Sequence, residues 1–209
     1  MSLFFWEVYM KKYKSIIQKV IRIIIGSVIL GTGIAIAILT GFGGDAISVF
    51  SEGLGKSLGI TIGAATLVYY GIFCIPIIFL DKKQLGIGTI VSPVISAIVM
   101  DMILLHVSLS YSPVVKILLL VIGITMIGIG LGIYVSANLG RSSYDAFVVY
   151  ISENYKSSIG LIKSLGDLLL CVVGFILGGT LGIGPILAIV MIGPVLQQTL
   201  NIINKYKKV

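Results

Sequence analysis

Two short polar stretches carry the side chains best suited to chemistry in this 209-residue sequence. GFGGDAIS places Asp45 and Ser48 three residues apart, and GRSSYDAF places Ser142 and Asp145 at the same spacing in reversed order. A polar side chain just before a helix takes the amide three residues on, and a partner at that position reaches back, so either order makes a reciprocal cap. Exchanging the acid and the hydroxyl preserves that geometry. Capping is therefore the primary role and substrate contact the secondary one. Gly41, Gly43, Gly44 and Gly140 give the backbone the freedom to turn sharply into each helix. Where such helix starts face a cavity, their free amides and positive dipole ends attract an anionic group, and Arg141 strengthens that preference.

The remaining polar residues of interest lie inside apolar runs. Asp101 follows Ser92-Pro93 in one run, and Gln197 and Gln198 follow Gly193-Pro194 in another. An unpaired ionised acid in hydrocarbon costs on the order of several kcal/mol. Asp101 therefore reads either as a coupling residue that takes a proton or sodium ion, or as a hydrogen-bonded tie between two helices. Proline frees a carbonyl and breaks or kinks its helix, so these two runs are expected to be discontinuous around a binding site. Lys163 and Asp167, four apart, read as an ion pair within one helix. His106 is the sole histidine, and Cys74 and Cys171 lie in apolar stretches without CxxC spacing, so no metal site is expected. No nucleophile with an adjacent base and no phosphate-binding loop appears in the short loops. The expectation is a protein that is not an enzyme, with no catalytic residue and no cofactor.

Composition says what must position these residues. Hydrophobic residues make up 57% of the chain and charged ones 11%, far from a soluble balance. Six runs reach the roughly 20 residues a helix needs to cross the hydrocarbon core. They are Ile16 to Leu39, Ile62 to Leu80, Ile87 to Leu109, Val114 to Ala137, Leu161 to Gly179, and Pro185 to Ile203. Ala46 to Lys56 and Ser143 to Lys156 are too short and too polar to span, and read as half-helices or interfacial helices. Residues 1–15, with Trp6, Tyr9 and Tyr13 beside Lys11, Lys12 and Lys14, read as an N-terminal segment lying on the headgroups. The net charge of +7 comes from basic residues just outside the apolar runs, which fits lipid headgroups and excludes nucleic acid as the partner.

Six crossings put both termini on one side. Of the fifteen basic residues, only Lys56 and Lys116 then fall on the other side, so the positive-inside rule makes the termini cytoplasmic. A shift of 97 residues also lays one half of the chain on the other. Gly26 falls on Gly123, Gly31 on Gly128, Gly33 on Gly130, Gly43 on Gly140 and Gly63 on Gly160. After one deletion LGIGT (Leu85 to Thr89) falls on LGIGP (Leu181 to Pro185), and Asp101 on Gln197. The reading is a first repeat over 16–110 and a second over 111–209, each with three spans. An odd number of crossings inverts one against the other.

The elements GFGGDAISVF, NLGRSSYDAF, the two LGIG stretches, Met100-Asp101 and Gly193-Pro194-Val195-Leu196-Gln197 together resemble the YczE/YitT-like family of bacterial integral membrane proteins. That resemblance implies residence in a bacterial inner or plasma membrane, and the activity of the family is largely uncharacterised. Inverted halves with polar groups inside spans point to a small secondary transporter of an unidentified small solute, an anionic one where the helix starts face the cavity. Its candidate substrate-binding residues are Gly43, Asp45, Ser48, Asp101, Gly140, Arg141, Ser142, Asp145, Gln197 and Gln198. The alternative is a noncatalytic accessory or scaffold protein. The glycine pairs Gly128/Gly132 and Gly174/Gly178 allow close helix packing within a monomer or in a homo-oligomer. Single cysteines at Lys83 and at the C-terminal tail are expected to react with a membrane-impermeant maleimide from the same, cytoplasmic, side; labelling from opposite sides would dismantle the six-span arrangement.

Overall fold

A computed structural model of the chain describes residues 2–108 and 111–207, with side chains described for 16–108 and 111–206. The described chain forms eight α-helices: α1 (Ser2–Leu39), α2 (Ala46–Leu58), α3 (Ile62–Leu80), α4 (Ile87–His106), α5 (Pro113–Ser136), α6 (Ser143–Asn154), α7 (Ile159–Ile176) and α8 (Gly184–Lys207). A 3-10 turn over Lys82–Gln84 joins α3 to α4. Six helices are long and apolar enough to cross a membrane, over Ile16–Leu39, Ile62–Leu80, Ile87–His106, Pro113–Ser136, Ile159–Ile176 and Gly184–Tyr206. The fold is that of an all-α membrane protein with six spans and two short helices.

Helix ends differ from expectation by a few residues, with local causes. Extended backbone at Val107 ends α4 before Leu109. In the second half Gly178, at φ +95°, takes the chain out of helix before Gly179. The backbone of 2–15 continues α1 as helix, while the side chains of Trp6, Tyr9, Tyr13 and the neighbouring lysines, on which the interfacial reading rests, lie outside the described residues. Pro93 and Pro194 lie within α4 and α8 without interrupting them. The chain is discontinuous elsewhere, between α1 and α2 and between α5 and α6, where the glycine-rich turns precede the capped short helices.

Alternating helix directions place the start of α1, the Lys82–Gln84 turn, the start of α7 and the end of α8 at one end of the bundle. We refer to this as the basic end, and to the opposite one as the far end. At the centre α1 and α5 cross in antiparallel fashion through glycines. A Cβ on Gly26 would lie 2.7 Å from the Gly130 carbonyl oxygen, and one on Gly33 would lie 2.6 Å from that of Gly123. α4 runs alongside α1, with Ser27 Oγ donating to Ser92 Oγ at 2.8 Å and Gly31 against Ser96. α8 runs alongside α5, with Gly128 against Val195 and Ile192 and Gly132 against Thr199. Lipid tails are as apolar as leucine, so such helices adhere by close contact rather than by escape from water, and small residues permit that contact.

Several of these contacts have a counterpart 96 or 97 residues away. Gly26–Gly130 maps onto Gly123–Gly33, and Gly31–Ser96 onto Gly128–Ile192. The short helices fill the remaining sides, α2 against α7 and α6 against α3. Gly26→Ala is expected to lower the melting temperature in detergent by several degrees, since overpacking a tight contact costs about 1–3 kcal/mol. Gly71→Ala, with nothing within 4 Å of the added carbon, is expected to leave it unchanged or raise it, because alanine gains about 1 kcal/mol of helix propensity.

Candidate functional site

The two short helices begin deep in the bundle and run to opposite ends. Both caps form as the residue spacing requires. Asp45 Oδ1 accepts from the Ser48 amide at 3.2 Å and from the Ser48 hydroxyl, while Ser142 Oγ accepts from the Asp145 amide at 3.1 Å and donates to Asp145 Oδ2 at 2.7 Å. The start of α2 borders a cavity of about 40 Å³ shared with Leu30, Ile34, Ser96, Ile127 and Leu131, all from the middle of their spans. The start of α6 reaches the middle of α3, where Ser143 Oγ donates to the Tyr70 carbonyl at 2.8 Å. The helix starts therefore converge on Tyr70 from either side.

Aromatic rings fill the space between them. Tyr69 packs against Phe50 of α2, Tyr70 and Phe73 of its own helix, and Tyr144 of α6. Beyond Tyr144 lie the charges of α7. Lys163 Nζ bonds Asp145 Oδ1 at 2.9 Å and stands 4.8 Å from the centre of the Tyr144 ring, whose hydroxyl donates to Asp167 Oδ1 at 2.7 Å. The expected Lys163–Asp167 ion pair within α7 is thus replaced by two ties to α6, because α6 packs against the face on which both side chains lie.

The LGIG stretches hold the turns that lead into the short helices, each half serving the other. The Gly184 amide donates to the Phe42 carbonyl at 3.0 Å, and the Gly88 amide to the Leu139 carbonyl at 2.8 Å. Gly43 stands against Thr180, and Gly140 against Gly86 and Thr89; both have positive φ, so a side chain at either would meet backbone as well as strain. Glycine is required there by a close approach of two chains.

The two ends of the bundle differ. At the basic end a cavity of about 860 Å³ is lined by Lys83, Gln84, Gly140, Arg141, Ser142, Asp145, Val149 and Glu153, among others. At the far end Glu52, 8% exposed, closes the same region of the fold: its carboxylate accepts from the Thr180 amide at 2.9 Å, the Thr180 hydroxyl at 2.8 Å and Lys56 Nζ at 2.7 Å, and Lys56 also donates to the Gly178 carbonyl. Asp101 adds a second tie there, its Oδ1 accepting from the Gly63 amide at 2.7 Å and so capping the first turn of α3.

The ten residues expected to bind substrate thus fall into separate groups. Asp45 and Ser48 line the small cavity, and Gly140, Arg141, Ser142 and Asp145 line the large one. Gly43 is buried in the α1–α2 turn. Asp101 reaches a helix amide rather than a cavity. Gln197 and Gln198 lie exposed on α8, Gln197 bonding Asn201. Thr66, Tyr70, Ser96, Tyr144, Lys163, Asp167, Glu52 and Thr180 join the site or its closure without having been expected there. The 97-residue shift marks one set of them, since it lays Thr66 on Lys163 and Tyr70 on Asp167.

Residues 17–201, nearly the whole bundle with both short helices, match one described family. The chain belongs to that family, a family of unknown function designated DUF6198. Its relatives include an uncharacterized protein of Haemophilus influenzae (strain ATCC 51907 / DSM 11121 / KW20 / Rd), 29% identical over 85% of this chain and 81% of that one. The uncharacterized protein YyaS of Bacillus subtilis (strain 168) is 26% identical over 87% of this chain and 92% of its own, and the uncharacterized membrane protein YczE of the same organism 22% identical over 86% of each. No solved structure matches. With its six apolar helices and a membrane protein among its relatives, this DUF6198 member is a multi-pass membrane protein. Glu52→Leu takes the acceptor from the Thr180 amide and hydroxyl, and is expected to destabilise the purified protein by about 2 kcal/mol. Thr180→Val, losing one hydrogen bond, is expected to cost about 1 kcal/mol; denaturation in graded detergent mixtures measures both.

Proposed function

We propose that the protein is a small secondary carrier built as two inverted halves, 16–110 and 111–209, which passes a small solute by alternating access. One observation carries the reading: the start of α2 borders a small mid-bundle cavity that Asp45, Ser48, Thr66, Tyr70 and Ser96 help to line, the start of α6 borders a wide cavity at the basic end, and the Glu52–Thr180 and Asp101–Gly63 ties join helices at the far end. Carriers with inverted halves place the substrate near the midplane between them, lined by discontinuous helices. The matched contacts across the 96–97 residue shift support the inversion. Leu30, Ile34, Ile127 and Leu131 around the small cavity are themselves two matched pairs, as expected of a site on the axis relating the halves.

The differences between the halves support the motion. In the first, Asp101 grips the Gly63 amide; in the second, the matching Gly160 has nothing within 4 Å and the matching Gln197 bonds Asn201 instead. Glu52 grips Thr180 at the far end, whereas the matching Val149 and Gln84 line the open cavity. Gln84 Oε1 is left buried without a partner among the described residues. Two matched halves in unlike conformations are two states of one element, and exchanging their conformations would open the far end and close the basic one. The crowding of Lys and Arg at the basic end supports a plasma membrane location with cytoplasmic termini. Capped helix starts and hydroxyls, with no activated nucleophile among the described residues, suit a noncatalytic and cofactor-free role.

Purified protein in proteoliposomes, tested on solid-supported membrane electrodes against a panel of amino acids, amines, sugars and organic anions, is expected to give a saturable signal with at least one. In a background with Cys74 and Cys171 replaced by alanine, a disulfide between cysteines at positions 52 and 180 is expected to abolish that signal until reduced. Flux that persists with the disulfide formed sinks alternating access. An inert chain that copurifies with a partner at fixed stoichiometry makes the protein an accessory subunit instead.

A further inference from the structure

We propose that the small cavity beside Asp45 is a binding site for a monovalent metal cation, with sodium the ion that best fits its chemistry. Its purpose rests on the carrier reading; its chemistry does not. A cavity of about 40 Å³ has room for on the order of three waters, or for an ion with part of its hydration shell. The polar side chains that line it offer oxygen alone: the Asp45 carboxylate and the hydroxyls of Ser48, Thr66, Tyr70 and Ser96. Oxygen sets of this kind suit hard cations. Both hydrogen bonds to the Asp45 carboxylate fall on Oδ1, which leaves Oδ2 for a ligand, and the Tyr70 hydroxyl has no partner among the described residues. A single carboxylate balances a single positive charge, and no group of three or more His, Cys, Asp or Glu converges on a point among the described residues, as a divalent site would ask.

The other half supplies an independent argument. Thr66 of the cavity matches Lys163, and Ser48 matches Asp145. There the Lys163 ammonium stands 2.9 Å from the Asp145 carboxylate. A tethered cation therefore fills, in one half, the place that in the other is a hydroxyl beside an acid and a small cavity. An anion is poorly served by the same surroundings. The Ser48 and Asp145 amides, which would have received it, are already taken by Asp45 and Ser142. The expectation of an anionic solute, which rested on open helix starts, loses its basis here.

The test is a thermal melt of the full chain in detergent, with sodium chloride exchanged for choline chloride at constant ionic strength. Sodium is expected to raise the melting temperature saturably, because a ligand that binds only the folded state stabilises it. Asp101→Asn is expected to keep the response and Asp45→Asn to lose it. If Asp45→Asn does not fold, Thr66→Lys serves instead: by supplying a tethered ammonium it is expected to melt in choline near the sodium-loaded wild type and to ignore sodium. A wild type indifferent to sodium, a response that survives both Asp45→Asn and Thr66→Lys, or stabilisation that follows phosphate at fixed sodium overturns the site. Sodium binding without solute flux sinks the carrier reading and leaves the site standing; flux with no sodium response does the reverse.

Discussion

Backbone that leaves a helix inside a bilayer must find its hydrogen bonds in protein, because lipid offers none. That constraint shapes this molecule at two places, the turns at 40–45 and 137–142, and the answer is the same at each. The first half's turn is completed by the second half's LGIG stretch, through the Gly184 amide and the Phe42 carbonyl. The second half's turn is completed by the first half's LGIG stretch, through the Gly88 amide and the Leu139 carbonyl. Supplementary bonds finish the second turn: the Arg141 amide to the Gln84 carbonyl, the Thr89 hydroxyl to the Arg141 carbonyl and the Tyr134 hydroxyl to the Gly140 carbonyl. Neither half can bury its broken backbone alone, so the interior start of each short helix depends on the presence of the other half.

Once two helix starts are held in the interior, their unpaired amides must be satisfied as well. Evolving a charged ligand for them is one solution; a built-in cap is another, and this chain uses the cap. The caps bring carboxylates to mid-bundle, and the two halves deal with those carboxylates differently. Asp145 is answered by Lys163, and Asp45 by the amide and hydroxyl of Ser48. The asymmetry of charge at the centre is thus a consequence of capping with acid in both halves while only one half carries a lysine on the facing helix.

Much of this was legible in the residues. The spans, the short helices and the reciprocal caps follow from apolar run length and from polar spacing, both local properties. The glycines singled out by the alignment, such as Gly26 and Gly123, sit at close contacts between α1 and α5. What sequence could not supply was which faces meet. Lys163 and Asp167 lie one helical turn apart and look self-sufficient, yet the approach of α6 draws one to Asp145 and the other to Tyr144. Asp101 read either as a coupling residue or as a tie between two helices, and the residues alone did not say which; its position near the end of α4 lets it cap the neighbouring α3, a tie across 38 residues of chain. Glu52, in a short helix of mixed composition, gave no signal that its partner lay 128 residues onward. Proline marked the wrong discontinuity, since a helix tolerates proline where neighbours take up the freed groups, whereas successive glycines with positive φ end it.

The physics of helix association in lipid bears on how firmly the far end is held. α7 and α8 present Leu168, Leu169, Ile176, Ile186, Ile189 and Val190 outward, all more than half exposed in the isolated chain and all suited to lipid. Parting two such helices in a bilayer exposes apolar surface to an apolar solvent, so little hydrophobic free energy opposes it. The terms that hold the helices in place are then the few polar ties and the close glycine contacts. At the far end these are Asp101 on Gly63, Glu52 on Thr180 and Lys56, and the approach of Gly53 to Gly174. At the basic end the matched positions carry Gln197, Val149 and Gln84, which make none of the same ties. The far-end seam thus rests on two carboxylates, where the matched positions at the basic end carry none, and anything that changes the charge or packing at Glu52 or Asp101 acts directly on how firmly that end is held.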